Sequence, residues 1–229
     1  MQESGPVTRG LFITFEGIEA SGKTTQIHRA EAHLAARGVP VLATREPGGT
    51  AVGALLRSVL LEFSGRLDAA TELLLLIADR QQHLVEEIEP ALAAGTSVLC
   101  DRYKDASRAY QGAGRGLGEA TVDALHGRFC PRDPDRTYLF DCPVDVAMER
   151  LLKRGKGQKD RFEREELAFH RRVRAAYRRQ ARLDPRRFLV LDTTRPPDAV
   201  FARLARDLDV LLATRLAASR GAAKRRARP

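Results

Sequence analysis

Residues 17–24 read Gly-Ile-Glu-Ala-Ser-Gly-Lys-Thr, which fits the pattern G-x-x-x-x-G-K-[ST] in full. A β-rich run, Leu11–Phe15, precedes this stretch, and Thr24–Ala36 follows it with apolar residues at helical spacing. In that context the glycines let the backbone wrap closely around a phosphate, and the helix N-terminus adds partial positive charge. The stretch therefore predicts a phosphate-binding loop (P-loop) between the first strand and the first helix.

The rest of the chain alternates strand-like and helix-like segments. We predict further strands at Val39–Thr44, Ser97–Cys100, Thr137–Asp141 and Arg187–Leu191. We predict further helices at Thr50–Glu62, Ala69–Ala94 with a bend or interruption at Pro90, Ala120–Phe129, Val144–Lys153, Glu165–Leu183 and Pro197–Ala217. This alternation predicts an α/β fold with a five-stranded parallel sheet and helices on both faces. The carboxyl ends of such strands share one edge, where ligands bind.

Composition and charge restrict the classes of protein. The chain has 229 residues, and no apolar run approaches the roughly 20 residues that a membrane helix needs. Residues 1–9 lack a signal-peptide pattern, so we expect a cytoplasmic protein with no membrane partner. The net charge of +9 is concentrated in part at the C-terminus. We predict one domain at 1–217 and a basic, disordered tail at 218–229, which leaves contact with nucleic acid open.

The P-loop assigns roles to its own side chains. Lys23 is expected to reach the β- and γ-phosphates, and Thr24 to offer its hydroxyl to Mg²⁺. The predicted ATP-binding residues are Gly17, Ile18, Glu19, Ala20, Ser21, Gly22, Lys23, Thr24 and Thr25. By itself the motif predicts nucleotide binding and does not separate a kinase from a GTPase or an ATPase motor.

Further polar segments narrow the choice to a kinase. They are Thr-Arg-Glu-Pro-Gly-Gly-Thr at 44–50, Asp-Arg at 79–80, Asp-Arg-Tyr at 101–103, Ala-Tyr-Gln-Gly at 109–112 and a basic cluster at 153–164. Phosphoryl transfer between two anionic nucleotides needs a second phosphate site and mobile cations over the transferred group. Arginine suits both tasks because its planar fork grips a phosphate at two points.

In their order and over nearly the whole chain up to residue 217, these segments resemble the thymidylate kinase family in its bacterial form. The run at 44–50 is the most specific of them. The resemblance implies a P-loop kinase fold with a small mobile lid. It also implies Mg²⁺-dependent transfer of the γ-phosphate of ATP to dTMP, giving dTDP and ADP. A homodimer is implied as well, packed through helices around 51–62 and 70–90.

The resemblance also implies an acceptor site. Arg45 and Arg102 match arginines that hold the acceptor phosphate, and Arg80 matches an arginine that hydrogen-bonds thymine. Tyr110 matches an aromatic residue beside the sugar, and Asp101 matches an acid that orders Mg²⁺ through water. The predicted dTMP-binding residues are Glu19, Arg45, Leu76, Arg80, Arg102, Ser107, Tyr110 and Gln111.

The family places its catalytic arginine either in the P-loop or in the lid. Ala20 occupies the P-loop position here, so we assign this role to the lid at about 153–164. The predicted catalytic residues are Lys23, Glu19, Arg102, Arg154 and Arg161. Asp160 and Glu163 match lid acids that approach the metal or the substrate.

One departure from the family leaves the base open. Leu76 stands where the family usually has a phenylalanine stacked on thymine, and leucine has no aromatic face. We therefore predict weaker or less selective binding of dTMP. One alternative is a related nucleoside or nucleoside monophosphate kinase with another base preference. A second, from a different class, is a nucleic-acid-binding P-loop ATPase.

Overall fold

The computed structural model describes residues 9–153 and 160–226, with side chains described up to residue 217. Five parallel strands form one sheet in the order β2-β3-β1-β4-β5, with helices around it. The strands are β1 Phe12–Glu16, β2 Val41–Arg45, β3 Ser97–Asp101, β4 Arg136–Asp141 and β5 Phe188–Asp192. The predicted fold class is therefore confirmed.

Strand β1 lies in the middle of the sheet, between β3 and β4. Its residue Phe15 stands opposite Asp101 of β3 and Tyr138 of β4. All five residues of β1 are buried, because both of its faces are covered. This register brings the loop that follows β1 beside the loop that follows β3.

The helices follow the predicted pattern, with shifts of one or two residues at most ends. They are α1 Lys23–Ala35, α2 Ala51–Glu62, α3 Ala69–His83, α4 Glu89–Ala93, α5 Lys104–Ser107, α6 Glu119–Phe129, α7 Val144–Lys153, α8 Leu167–Leu183 and α9 Pro197–Arg226. No helix within the described part of the chain is both long and apolar enough to cross a membrane.

The long helix predicted at 69–94 is interrupted upstream of Pro90. A π-helical segment, Leu84–Ile88, separates α3 from α4, and the amide of Glu89 donates to the carbonyl of Leu84. Proline has no amide hydrogen, so the turn before it cannot keep the α-helical hydrogen bonds. The interruption therefore falls in the turn that leads into the proline.

Two other segments differ from the sequence prediction. Helix α5 and the π-helical segment Arg108–Gly114 occupy a stretch for which no element was predicted, because its glycines hide the helical pattern. Helix α9 continues to Arg226, beyond its predicted end at 217, through an alanine-rich sequence with high helix propensity. The division into a domain and a tail stays a prediction.

The core lies on both faces of the sheet. Ile13 and Phe15 pack with residues of α1 and α9, whereas Phe12 packs on the opposite face with Ile77 and Tyr103. This alternation follows from the two-residue period of a strand. A third cluster joins α8 to the π-helical segment 108–114.

A buried ion pair fixes α5 against the sheet. Arg187, just before β5, donates to both oxygens of Asp105, at 2.6 and 3.0 Å, and Asp105 is buried. The two-point geometry holds the loop after β3 in place, because a bidentate arginine fixes both orientation and distance.

We expect Arg187→Met to lower the free energy of unfolding by about 3 kcal/mol, because it leaves Asp105 buried with its main cation removed. Urea unfolding measures this change. The control is Arg37→Met, which breaks an exposed pair with Asp209 and should cost less than about 1 kcal/mol. Equal losses in the two variants would contradict this account.

His126 of α6 is buried against Arg80 of α3. The two side chains lie 2.8 Å apart, from Arg80 Nη1 to His126 Nε2, so the uncharged ring must accept the hydrogen bond. Burial and the neighbouring Arg80 lower the pKa of His126 to about 2. The folded protein therefore binds fewer protons at this position than the unfolded chain does whenever the pH lies below the ordinary histidine pKa.

Stability should consequently fall as the pH drops below about 6.5, by about 2 kcal/mol at pH 5 for this group alone. We expect His126→Gln, which keeps an acceptor for Arg80, to remove that part of the loss between pH 7.5 and 5. Urea unfolding at both values measures it, with His28→Gln on the exposed face of α1 as the control. An unchanged pH slope in His126→Gln would contradict the prediction.

Candidate active site

One cleft lies at the carboxyl edge of the sheet and encloses about 920 Å³, including the part open to solvent. The P-loop forms one wall. The other walls come from the segments after β2 and β3, from helices α2 and α3, and from residues 160–163. Its lining includes Glu19, Lys23, Thr24, Glu46, Arg57, Leu76, Arg80, Asp101, Arg102, Ser107, Tyr110, Gln111, Asp160, Phe162 and Glu163. Most of the side chains predicted from the sequence therefore meet in a single cleft.

The P-loop has the backbone that its glycines predict. Gly17 adopts a φ of 143°, and a Cβ atom there would lie 2.6 Å from the carbonyl oxygen of Phe140. Lys23 is buried and its Nζ donates to the carbonyls of Gly17 and Ile18, at 3.0 and 3.1 Å. Burial, with a contribution from Arg102, lowers the pKa of Lys23 to about 8. The ammonium group thus lies across the loop, with carbonyl oxygens as its partners.

An ion pair links the P-loop to the segment after β3. Arg102 Nη2 donates to Glu19 Oε1 at 2.9 Å, and the Tyr110 hydroxyl donates to the same oxygen at 2.6 Å. Burial alone would raise the pKa of Glu19, but Arg102, His170 and Tyr110 together lower it to about 2. Glu19 is therefore a carboxylate at neutral pH.

The position of Arg102 is fixed at both its backbone and its side chain. Its φ of 71° lies in the left-handed region, which costs a non-glycine residue free energy. Its amide donates to the carbonyl of Phe15 at 3.0 Å, which holds this conformation beside β1. The guanidinium lies 4.8 Å from the centre of the Tyr110 ring and contacts the Tyr177 hydroxyl at 3.3 Å.

Two oxygens at the cleft suit a hard divalent cation. Asp101 ends β3, and its buried Oδ1 has no hydrogen-bond partner. Thr24 is exposed at the start of α1 and lines the cleft, and its side chain carries a hydroxyl oxygen. Carboxylate and hydroxyl oxygens, together with water, are the ligands that Mg²⁺ prefers. These residues therefore fit Mg²⁺.

Arg80 is held from several sides at the other end of the cleft. Its Nε donates to Glu46 Oε2 at 2.6 Å, and its Nη atoms donate to Ser107 Oγ and to the carbonyl of Tyr103, both at 3.1 Å. Leu76 lies one helical turn before Arg80, is buried and lines the same cleft. This end of the cleft therefore combines one fixed guanidinium with an apolar aliphatic wall.

Arg45 and Arg161 do not line this cleft, and neither do Gly17, Ile18 and Thr25 of the P-loop. Arg45 ends β2 with an exposed side chain. Arg161 donates to the carboxylate of Glu72 and to the carbonyl of Leu60. Arg154 lies outside the described residues.

Sequence reasoning missed Arg57, Glu46 and Phe162 as residues of the cleft. Arg57 lies on α2, donates to the carbonyl of Pro47 at 2.8 Å, and has a pKa lowered by burial and by Arg45. Glu46 belongs to the run at 44–50, but nothing in the sequence indicated that its carboxylate would pair with Arg80. For Arg57 and Phe162 the sequence offers no local signal at all.

A second cleft lies on the other side of the P-loop and shares Ala20, Ser21 and Gly22 with the first. Its remaining lining is Thr25, Gln26, Phe140, Arg150, Lys153, Thr193, Arg195, Pro197 and Val200. Among these, the sequence had indicated Thr25 as an ATP-binding residue and Lys153 as part of the basic cluster at 153–164. The P-loop thus separates two clefts, each with basic side chains.

The side chains of Glu46, His83 and Cys100 bring potential metal ligands within 4.8 Å of one another. The Arg80 guanidinium already donates a hydrogen bond to one oxygen of Glu46, and His83 Nδ1 lies 3.0 Å from the other oxygen. Burial raises the pKa of the Cys100 thiol well above its ordinary value, so the thiol stays protonated. The cluster is a buried hydrogen-bond network that supports Arg80.

Comparison with known proteins identifies the family. A family model described as thymidylate kinase matches residues 15–204. A thymidylate kinase of Bordetella pertussis is 50% identical over 206 residues, which cover 90% of this chain and 97% of that protein. Those of Trichlorobacter lovleyi and Deinococcus radiodurans are 46% and 45% identical, over 85% and 86% of this chain and 99% and 96% of their own lengths. The chain belongs to the thymidylate kinase family.

Proposed function

We propose that this chain transfers the γ-phosphoryl group of ATP to dTMP, giving dTDP and ADP. One observation carries the proposal beyond the family: a single cleft joins Lys23 of the P-loop to two further fixed guanidiniums, Arg102 and Arg80. A P-loop hydrolase needs one phosphate site, whereas a kinase for a nucleotide acceptor needs two anions end to end. The two clefts beside the P-loop meet that need.

For the donor, we propose that the P-loop residues 17–25 hold the ATP phosphates, with Lys23 at the β- and γ-phosphates. Lys23 would exchange its two carbonyl partners for phosphate oxygens, and the negative charge would restore its full protonation. The nucleoside of ATP would lie in the second cleft, because Gly22 lines both clefts and Arg150 and Arg195 line the second one. The planar guanidinium of an arginine can stack on an aromatic base, so either residue could contact adenine.

Thr24 and Asp101 would hold Mg²⁺, with Asp101 acting through water. The unpartnered Oδ1 of Asp101 supports this role. An ion held by these two residues would supply positive charge beside the ATP phosphates.

For the acceptor, we propose that Arg102 holds the monophosphate beside the P-loop and that Glu19 orients Arg102 and the sugar. Arg102 keeps its orientation through Glu19 and Tyr177, so its remaining N–H groups are aimed before the substrate arrives. Arg57 adds a cation to the same cleft. Arg45 stays a proposed phosphate contact, and its exposed position means that it would act from the rim.

The base would lie between Arg80, Ser107, Tyr110 and Gln111, against Leu76. Arg80 is held in place by the buried carboxylate of Glu46, which suits a hydrogen bond of fixed direction to a thymine carbonyl. Tyr110 contacts Glu19 and the rings of Phe162 and Phe169, and it would lie beside the sugar. This end of the cleft thus offers a base both polar and apolar walls.

We also propose a homodimer through α2 and α3. Large apolar side chains are exposed on both helices, including Leu55, whose exposed fraction is 70%, and Leu74. Such side chains are typical of an interface when they cluster on one surface, which is what we propose for α2 and α3. The cytoplasmic location and the role of the basic C-terminal residues stay predictions.

A coupled assay of ADP release across dTMP, dUMP, dCMP, dGMP and thymidine tests the function. We expect turnover with dTMP to exceed turnover with any other acceptor. DNA or RNA should not stimulate ATP turnover when dTMP is absent. Turnover that depends on a nucleic acid and ignores dTMP would overturn the proposal in favour of a P-loop ATPase.

We expect Leu76→Phe to lower the KM for dTMP and to increase the preference for thymine over cytosine, because an aromatic face on a base contributes about 1–3 kcal/mol. This corresponds to a change of at least about fivefold. Steady-state kinetics with dTMP and dCMP measure it, and Leu76→Met, which keeps the volume without the ring, is the control. Unchanged KM and base preference in Leu76→Phe would refute the role of this position.

A further inference from the structure

Glu72 of α3 is a fully buried carboxylate with an unusual number of donors. Its Oε1 accepts from Gln111 Nε2 at 2.6 Å, and Nε of Arg115 lies 3.3 Å from each oxygen. Arg161 Nη2 donates to Oε2. A carboxylate without solvent is stable only when it is paired and fully hydrogen-bonded, and these three donors meet that condition.

The same contacts attach the lid to helix α3 and to the end of the π-helical segment 108–114. Arg161 belongs to the segment 160–166, which we term the lid arm, and this segment contributes Asp160, Phe162 and Glu163 to the cleft. Glu165 of the lid arm also pairs with Arg115 at 2.5 Å. Two of its residues are thus bound to one buried cluster.

Phe162 shows what this attachment positions. Its ring packs edge-on against the Tyr110 ring, with centroids 5.5 Å apart, and Tyr110 donates to Glu19. The guanidiniums of Arg161 and Arg115 lie 5.2 and 5.7 Å from the Phe162 centroid. If the lid arm were released from Glu72, the cleft would therefore lose the wall that Phe162 forms beside the sugar and the base.

Arg161 is poorly placed to act on the transferred phosphate. Its guanidinium donates to Glu72 and to the carbonyl of Leu60 at 3.1 Å, and its side chain does not line the cleft. A move to the P-loop would break an ion pair with a carboxylate that water does not reach. Removing one partner from such a pair is strongly unfavourable.

We propose that Glu72 is a positioning residue that anchors the lid arm over the acceptor cleft, and that Arg161 is its lid-side partner rather than the catalytic arginine. This rests on the proposed function for its kinetic consequence. Glu72 also holds Gln111, so the same carboxylate sets both the lid arm and one residue of the base site. Loss of the anchor should weaken acceptor binding and leave the chemical step largely intact.

A double-mutant cycle tests the proposal on the full-length chain with Glu72→Gln, Arg161→Met and the double variant. We expect each single variant to raise the KM for dTMP about tenfold, with kcat within about threefold of the original, because the anchor acts on binding. The double variant should be no worse than either single one, because both substitutions remove the same contact. Glu119→Gln, which breaks a partly exposed pair with Arg179 outside the cleft, is the matched control.

Hydrogen exchange without nucleotides gives a second readout that needs no catalysis. Glu72→Gln and Arg161→Met should each raise exchange in the lid arm by at least about tenfold and leave β1 and β3 unchanged. Unchanged lid-arm exchange, or additive losses in the cycle, would overturn the proposal. So would a drop in kcat of about a hundredfold or more in Arg161→Met alone, which is the behaviour of a catalytic arginine. If hydrogen exchange confirms the anchor but the protein does not phosphorylate dTMP, this inference stands and only the proposed substrate is refuted.

Discussion

The ion pair between Glu19 and Arg102 joins two segments that are far apart in the chain and adjacent in the sheet. Its 2.9 Å contact is possible because β1 and β3 are neighbours, with Phe15 opposite Asp101. The parallel arrangement puts the ends of both strands at one edge, so the P-loop and the arginine after β3 face the same cleft. Phosphoryl transfer needs this convergence more than any other feature, since the protein contributes mainly position and charge.

Two arginines of the proposed acceptor site are each oriented by a buried or partly buried carboxylate. Glu19 serves Arg102, and Glu46 serves Arg80. Such pairs contribute little to stability on average, because desolvation offsets most of the attraction. Their value here is geometric: a guanidinium already aimed at its target needs no reorganisation when an anionic substrate binds.

The lid arm is held by the same kind of interaction. Arg161 pairs with Glu72 of α3, and Glu165 pairs with Arg115, which itself contacts Glu72. Ion pairs as well as apolar packing therefore hold this segment in place. If the segment opens as the proposed function requires, ion pairs of fixed geometry would return it to one position. Arginines in a lid therefore need not share one role, and the buried carboxylate beside Arg161 separates it from a residue that acts on phosphate.

The sequence by itself determined the fold class and the family. The P-loop at 17–24 and the run at 44–50 are each one continuous stretch of sequence. The strand and helix periods are also local, so recognising these features needs no knowledge of distant contacts. Only the tertiary structure decided which basic residue meets which acid. Arg45, Arg57 and Arg161 look alike in the sequence, yet one is exposed, one lines the cleft and one binds Glu72. Partners separated by up to about ninety residues leave no periodic trace, because the fold brings them together and local spacing does not.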